Sequence, residues 1–413
     1  METVTYLGLH LKLLEAPRLL WDSLPPPRTR RGVYVFRRNT NTQNRAVQRF
    51  SALILFLFFG GIALGGYSLA PLATPIGAYD HLATGLSESA HVSGIAFEIE
   101  SPTQVPVAWG MDGSALQLAG PPGYSSAYAL GVIDESGHTI HFGQFSNPGE
   151  PYPKPALWRD GVFSTLPFDG AGGYVQGGNG TTFVGATFLD PPVPQQTVLT
   201  IWQDGMPQRV NGVSAEVHFL RPFSMNRAGE YVGVYLNIVN DDFVYGSFIG
   251  QGTEARFLSW TGFPEARSYD INDVGQVVGF YLPDGVNPIG FVATEDEAQS
   301  LGILDGSTYN AGSAINNFGT IAGYNLDAFG NSVGVLYEPG SLSPIDLNTL
   351  IDPIPGVKLV RGVDINNAGQ ILVEGLGASG YSYYVLTPIP EPVCLAMVVM
   401  AVAGSMNRPR RGG

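Results

Sequence analysis

The amino-acid sequence predicts an all-β fold built from repeated four-stranded units, and three observations support this prediction. A turn with the pattern Asn-x-x-Gly recurs in four clear copies. Their asparagine and glycine residues are Asn226 and Gly229, Asn272 and Gly275, Asn316 and Gly319, and Asn366 and Gly369. Three degenerate copies extend the series to seven, with the turn glycine or its equivalent 43 to 50 residues apart. The 54 glycines and 31 prolines among 413 residues indicate many turns. A strand-based repeat with a period in the forties is typical of a β-propeller.

The copy that contains Asn272 shows how one unit is expected to fold. A first strand at 268–271 ends in the turn Asn272–Gly275, a type I turn whose last residue takes a positive φ. The remaining strands are expected at 276–281, 289–293 and 300–304. Seven such units predict a seven-bladed β-propeller of four-stranded antiparallel blades over residues 79–388, and a count of six to eight blades stays open.

The last copy, 363–388, is too short for a fourth strand. Residues Pro71–Ile76 lie where a fourth strand would precede the first unit. We expect this segment to pair with the last blade and close the ring, because closure removes two exposed sheet edges.

Two residue types recur inside the predicted strands. A glycine near the end of the second strand indicates a close approach of two backbones near the crowded axis, at Gly94, Gly185, Gly233, Gly279 and Gly323. A tryptophan ends the third strand of the first four units, at Trp109, Trp158, Trp202 and Trp260. These indoles are expected to pack between blades; a sugar-binding aromatic platform is the alternative.

The fourth unit is predicted to carry an insertion at 237–252, because Trp260 lies 31 residues after Gly229 and the other units have a shorter gap. Its tip, Asn240–Phe243, is expected to protrude as a hairpin.

The charge distribution limits the classes of partner. Between 79 and 392 the chain has nine basic and 32 acidic residues, a net charge of −23. An acidic surface repels phosphate backbones, so no nucleic-acid partner is expected. Calcium remains an open alternative at Asn272-Asp273 and its repeats, although turn chemistry already explains these residues, and no cofactor is predicted.

The N-terminal region has the pattern of an export signal. Residues 1–50 are basic and are interpreted as a disordered extension or a misassigned start. An apolar run at 51–66 follows, within a signal and cleavage zone at 51–78, and it is short for a membrane-spanning helix. A buried core helix is the alternative. Cleavage after any of four small residues is compatible with the sequence: Gly65, Ala70, Ala73 or Ala78.

The C-terminal segment, 389–413, combines a Pro-Glu-Pro tripeptide, an apolar stretch at 393–406 and a basic end. The residues that carry this pattern are Pro390, Glu391, Pro392, Arg408, Arg410 and Arg411. The pattern resembles the PEP-CTERM sorting tail of exported bacterial proteins. The resemblance implies recognition by an exosortase and transient membrane insertion through the tail before processing; a plain tail anchor is the alternative.

The repeat itself, in the form Ile-Asn-Asn-x-Gly followed by an apolar strand, resembles the bacterial extracellular repeats of the HAF family over about 80–388. This resemblance implies export and surface display and specifies no reaction.

A search for catalytic motifs identifies no catalytic or metal-binding residue. The only cysteine is Cys394 in the tail, and no nucleophile elbow or zinc motif occurs. His138 and His141 are three residues apart on a strand, which places them on opposite faces. Carboxylates are plentiful, at Asp134-Glu135, Asp241-Asp242, Asp270 with Asp273, and Glu295–Glu297, and the sequence favours none of them.

Three functional hypotheses follow. The favoured one is a non-enzymatic, exported module at the cell surface or in the extracellular matrix that binds exopolysaccharide or surface proteins. The second is a carbohydrate-active hydrolase or lyase, which two buried carboxylates of perturbed pKa in a central pocket would favour. The third is an adhesin that uses the 237–252 insertion.

Overall fold

The computed structural model describes residues 66–99, 103–189, 197–213, 217, 219–239 and 242–389. Within these ranges the protein is all-β, with 28 strands and one short 3-10 helix at Leu347–Thr349. None of the described helical structure is long and apolar enough to cross a membrane. The apolar run 51–65 and the sorting-tail residues Pro390, Glu391, Pro392, Arg408, Arg410 and Arg411 lie outside the described residues.

The strands form seven consecutive units. The first three units contain β2 (Ala78–Leu86), β3 (Val92–Glu98), β4 (Gln104–Trp109) and β5 (Ala115–Gln117); β6 (Ser126–Glu135), β7 (His138–Ser146), β8 (Lys154–Arg159) and β9 (Val162–Thr165); and β10 (Gly172–Gly178), β11 (Thr182–Phe188), β12 (Thr197–Gln203) and β13 (Met206–Arg209). The next two contain β14 (Phe219–Met225), β15 (Glu230–Val239), β16 (Asp242–Gln251) and β17 (Glu254–Leu258); and β18 (Arg267–Ile271), β19 (Val277–Tyr281), β20 (Ile289–Ala293) and β21 (Ala298–Ser300). The last two contain β22 (Ser307–Ile315), β23 (Ile321–Asp327), β24 (Ser332–Tyr337) and β25 (Pro344–Asp346); and β26 (Lys358–Ile365), β27 (Ile371–Gly377) and β28 (Gly380–Pro388), joined by β1 (Tyr67–Pro71).

Each unit is an antiparallel sheet whose strands pair in chain order. Five sheets have four strands each, and the sixth combines the first two units through one parallel pair, Gln104 with Ser126. The seven first strands contact one another in a closed cycle, in which β2 contacts both β6 and β26. The fold is therefore a β-propeller, with the first strand of each unit next to the axis.

The ring is closed by the N-terminal strand, and the predicted segment must be corrected. Strand β1, Tyr67–Pro71, pairs antiparallel with β28 and provides the missing fourth strand of the last unit. The sequence assigned this pairing to Pro71–Ile76, and only Pro71 and Leu72 of that segment bond to β28, Leu72 through its N–H to the Tyr383 carbonyl. The pairing ends there because the next N–H, that of Ala73, donates to the Gly113 carbonyl of the first unit.

The unit chosen for prediction agrees with the structure in three of its four strands. The third strand is confirmed at Ile289–Ala293, and the first two differ from the expectation by one residue. The fourth strand is three residues long, Ala298–Ser300, rather than 300–304.

The second-strand glycines are confirmed as sites of close backbone approach, in the middle of the strand rather than at its end. An added Cβ would lie 1.9–2.2 Å from a carbonyl oxygen of the first strand at Gly94, Gly185, Gly233, Gly279 and Gly323. Each first strand carries a β-bulge at this level. Glycine is needed because the bulged inner strand lies too close for a side chain.

All four tryptophans pack between units as expected, but only three of them lie at the end of a third strand. Trp109, Trp158 and Trp202 are fully buried, and each indole N–H donates to a carbonyl in the loop after the preceding unit's fourth strand. Their burial leaves no ring face for a sugar. Trp260 is a correction, because it follows the fourth strand β17 and donates to Thr294 of the next unit.

The placement of Trp260 also removes the reason for an insertion. Residues 237–252 contain the end of β15 and all of β16, the regular third strand of the unit, with Phe248 fully buried. The predicted hairpin does exist, since β15 and β16 pair up to Val239 and Asp242. Near its tip Ile238, Val239 and Phe243 are exposed, while Asn240 and Asp241 lie outside the described residues.

Candidate functional site around the ring axis

The repeated turns have the predicted geometry. In the four clear copies the turn glycine has a φ between 75° and 83°, at Gly229, Gly275, Gly319 and Gly369. The Asn272 side-chain oxygen accepts hydrogen bonds from the backbone N–H groups of Val274 and Gln276. The asparagine is therefore a turn residue, as the sequence predicted.

The same asparagines also connect neighbouring units, which the sequence did not predict. The side-chain amide of Asn272 donates to the Asn316 carbonyl at 3.0 Å, and that of Asn316 donates to the Asn366 carbonyl at 3.2 Å. Equivalent bonds lead from Asn226 to Asn272, and from Asn366 to Ser87 of the first unit at 3.0 Å. The turn asparagines thus form a ladder that crosses the seam between the last and the first unit.

A second ladder uses the residue after each turn asparagine. The Asp273 N–H donates to the Asn317 side chain, and the Asn317 N–H donates to the Asn367 side chain, both at 2.8 Å. The Asn367 N–H continues to Glu88 of the first unit, at 3.0 Å. The Asp273 carboxylate accepts from the Arg227 N–H and from the Asn317 amide. The oxygens proposed for calcium in the sequence therefore already accept protein hydrogen bonds.

Two partly buried carboxylates lie beside the axis, one residue after the bulge of their inner strands. Asp270 accepts from the Ser224 hydroxyl and from the N–H groups of Ile271 and Ile315. Burial raises the pKa of Asp270 to about 6. Asp270 thus bonds both the preceding and the following unit.

Asp364 has the equivalent position in the last unit. It accepts from the N–H groups of Leu86 in the first unit and of Ile365. Burial, and to a smaller extent the negative charge of Asp270, raise the pKa of Asp364 to about 7. The sequence grouped Asp270 with Asp273; the charge of Asp270 instead acts on Asp364.

Of the other carboxylates named from the sequence, Asp134 and Glu135 end the inner strand β6, Glu295–Glu297 follow the third strand β20, and Asp241 lies outside the described residues. Asp134 accepts from the Ser89 N–H and the Thr139 hydroxyl at the seam between the first two units. Glu295–Glu297 are exposed. The histidine pair behaves as expected for opposite strand faces: His138 is exposed and contacts Asp160, whereas burial lowers the pKa of His141 to about 4.

A cluster of basic and aromatic side chains, which the sequence did not predict, occupies the inner strands β10, β14, β18 and β26 and the second strand β23. We call Arg221, Arg267, Arg361, Tyr174, Tyr269 and Tyr324 the axial cluster. Each arginine lies two residues before the bulge residue of its inner strand. A sequence signal exists, because Arg-x-x-Ser/Asp-Met/Ile-Asn occurs at 221–226, 267–272 and 361–366.

A cleft of ≈ 200 Å³ lies elsewhere, at the seam between the last and first units, beside Ala70, Glu88 and Gln370. Its polar side chains are engaged within the protein: Glu88 accepts from Asn367, and Gln370 bonds Asn366 and Thr387. The axial cluster therefore offers more free hydrogen-bonding capacity than this cleft.

Comparison with known proteins yields structural neighbours only. No family model matches the chain, and no curated protein matches it. A puromycin-hydrolysing peptidase from Mycobacterium tuberculosis is 12% identical, with a TM-score of 0.49 over 79% of this chain and 54% of its own, so the chain spans about half of that protein. The β-propeller domain of the Trilobed protease from Pyrococcus furiosus is 8% identical, with a TM-score of 0.48 over 78% and 94%. An oligogalacturonate lyase in complex with manganese is 10% identical, with a TM-score of 0.46 over 79% and 98%. At such identities and scores these neighbours indicate nothing about activity.

Proposed function

We propose that the protein is an exported, seven-bladed propeller that acts as a binding or structural module at the cell surface or in the extracellular matrix, with exopolysaccharide or surface proteins as partners. The axial cluster is the observation that carries this proposal. Its arginines and tyrosines provide hydrogen-bond donors, while the oxygens of Asp270 and Asp364 are occupied by backbone N–H groups. A site of free donors suits ligand binding better than proton transfer.

Export is supported by the signal-like run 51–66 and by the tail from Pro390 to Arg411, through which an exosortase would recognise the chain. Strand β1 restricts the cleavage site. Cleavage after Ala70, Ala73 or Ala78 would remove most or all of Tyr67–Pro71, whereas cleavage after Gly65 leaves this strand intact. We therefore expect the exported protein to begin at Gly66, with a C-terminus inside 389–413; an intact mass that includes residue 413 would contradict tail processing.

Binding to an array of neutral and acidic polysaccharides tests the proposed function. We expect saturable retention of the protein by at least one polysaccharide. Ser313→Phe should abolish it, because Ser313 is the bulge residue of β22 and a large side chain there fills space next to the axis. Phe243→Ser at the hairpin tip is the matched control and should bind normally, provided that both variants melt cooperatively.

The same array separates the alternatives. Retention that is lost in Phe243→Ser and kept in Ser313→Phe would favour the adhesin hypothesis. The absence of retention on every polysaccharide would contradict exopolysaccharide as the partner.

A carbohydrate-active enzyme is the second candidate, because Asp270 and Asp364 are partly buried carboxylates of raised pKa on inner strands. A carboxyl group with a pKa near 7 could act as a general acid in glycoside cleavage. Shortened saccharides released during the binding assay, and absent with Asp364→Asn, would establish this alternative.

A further inference from the structure

The three arginines of the axial cluster have buried donors that no protein group satisfies. The Nε atoms of Arg221, Arg267 and Arg361 are buried without a hydrogen-bond partner among the described residues. Of these three arginines, only Arg267 forms an ion pair with a described residue, namely with Glu265 at 3.7 Å. Only 9% of the surface of Arg221 is accessible to solvent. Buried N–H donors normally have a partner, so these three Nε atoms require another explanation.

Aromatic contacts connect the three arginines into one cluster. The Arg221 guanidinium lies 4.9 Å from the Phe223 ring centre, and that ring lies 5.1 Å from Tyr269. The Arg267 guanidinium lies 5.2 Å from the Phe280 ring centre, and that ring lies 5.6 Å from Tyr269. The Arg361 guanidinium lies 5.7 Å from the Tyr324 ring centre, and Tyr324 packs with Tyr269 against the Phe280 cluster.

Tyr269 lies at the centre of this arrangement. Burial raises the pKa of its phenol and the neighbouring Tyr324 raises it further, while the charges of Arg267, Arg361 and Arg221 all act in the opposite direction. All three guanidinium charges therefore act on one phenol. The Tyr174 hydroxyl, which is buried near Arg221, also has no partner in the described structure.

We propose that the axial cluster binds one oxyanion group (a carboxylate, sulfate or phosphate) of a saccharide ligand. The proposal rests on the proposed function in taking the axis as the ligand site. Guanidinium groups present a planar fork of donors that matches such oxyanions, and an anion would offset the cost of burying the positive charges. A neutral sugar would leave these charges unpaired.

The distribution of charge makes this cluster distinct. Three of the nine basic residues between 79 and 392 belong to it, in a region with 32 acidic residues. The acidic exterior repels anions at long range, so binding must come from direct contact at the cluster. We therefore expect a site that selects a terminal or single anionic group rather than a densely charged polyanion.

The proposal is tested by calorimetric titration of the purified protein with sodium sulfate, sodium phosphate and sodium glucuronate. Glucose serves as the neutral probe. Sodium chloride keeps the ionic strength equal throughout. We expect saturable binding of at least one oxyanion and none of glucose, and the preferred oxyanion identifies the ligand group. Arg221→Met and Arg361→Met should each weaken binding at least tenfold. Arg209→Met is the control, because Arg209 is an exposed arginine paired with Asp169, and its affinity should change less than twofold.

Arg221→Lys keeps the charge and loses the fork, so it should also weaken binding and serves if Arg221→Met fails to fold. Binding of no oxyanion, equal binding of glucose and glucuronate, or unchanged affinity in a folded Arg221 variant would overturn the proposal. If oxyanions bind at the cluster but no polysaccharide is retained, the proposed function fails and this inference stands. If polysaccharides are retained equally by the Arg221 and Arg361 variants, the inference fails and the proposed function stands.

Discussion

Replacing Asn272 by aspartate is expected to lower the free energy of unfolding by about 2–3 kcal/mol, measured by chemical denaturation. Aspartate is favoured at the first position of a type I turn, so it would still accept the hydrogen bonds from Val274 and Gln276. It cannot donate to the Asn316 carbonyl, and it would place an oxygen 3.0 Å from that acceptor. Loss of the bond between units, rather than loss of the turn, thus causes the destabilisation.

Asn331→Ala is the control for this prediction. Asn331 also lies in a turn, but its bonds go to Asp327 within the same hairpin and are exposed. We expect its removal to cost less than about 1 kcal/mol. If Asn272→Asp were as stable as the native chain, Asn272 would act only as a turn residue and the ladder would contribute nothing.

Removal of strand β1 is the second large effect. A chain that begins at residue 72 should melt about 10 °C below one that begins at residue 66. We expect a loss of several kcal/mol of stability, and each kcal/mol lowers the melting temperature of a domain of this size by about 2 °C. The shorter chain loses the five-residue pairing with β28 and the buried Tyr67. It also exposes the edge of β28, so self-association should increase.

Differential scanning calorimetry and sedimentation of the two chains measure both effects. Ile76→Ser is the control, because Ile76 lies in the segment first expected to close the ring and is fully exposed. Its melting temperature should stay within about 1 °C of the native value. Equal melting of the chains that begin at 66 and 72 would show that β1 does not close the ring.

The elements that local chemistry dictates could be predicted from the sequence. The turn Asn272–Gly275 needs a residue of positive φ at its end, and glycine meets this requirement. The third strand at Ile289–Ala293 is an apolar run covered by its neighbours, so its bounds were correct. The fourth strand was misplaced because Ala298–Ser300 is short, pairs on one side only and is largely exposed.

Contacts between units could not be predicted in the same way. The spacing of Trp260 from Gly229 was read as an insertion, but that tryptophan reaches the space between units from a fourth strand instead of a third. Asn272 and Asn316 are 44 residues apart, and their bond becomes evident only when the units are placed side by side. The axial arginines carry a repeated sequence pattern, yet the burial of their Nε atoms without a hydrogen-bond partner is a property of the folded ring.

The most direct test of the account is amide hydrogen exchange at the repeated turns, with single-residue resolution. The Asp273, Asn317 and Asn367 N–H groups lie in surface turns, yet each donates to a side chain of the next unit. The account predicts that all three exchange slowly and that Asn317→Ala accelerates the exchange of Asp273 while Asn367 stays protected. Exchange of these amides at the rate of an unfolded chain would contradict the claim that the repeated turn holds neighbouring units together.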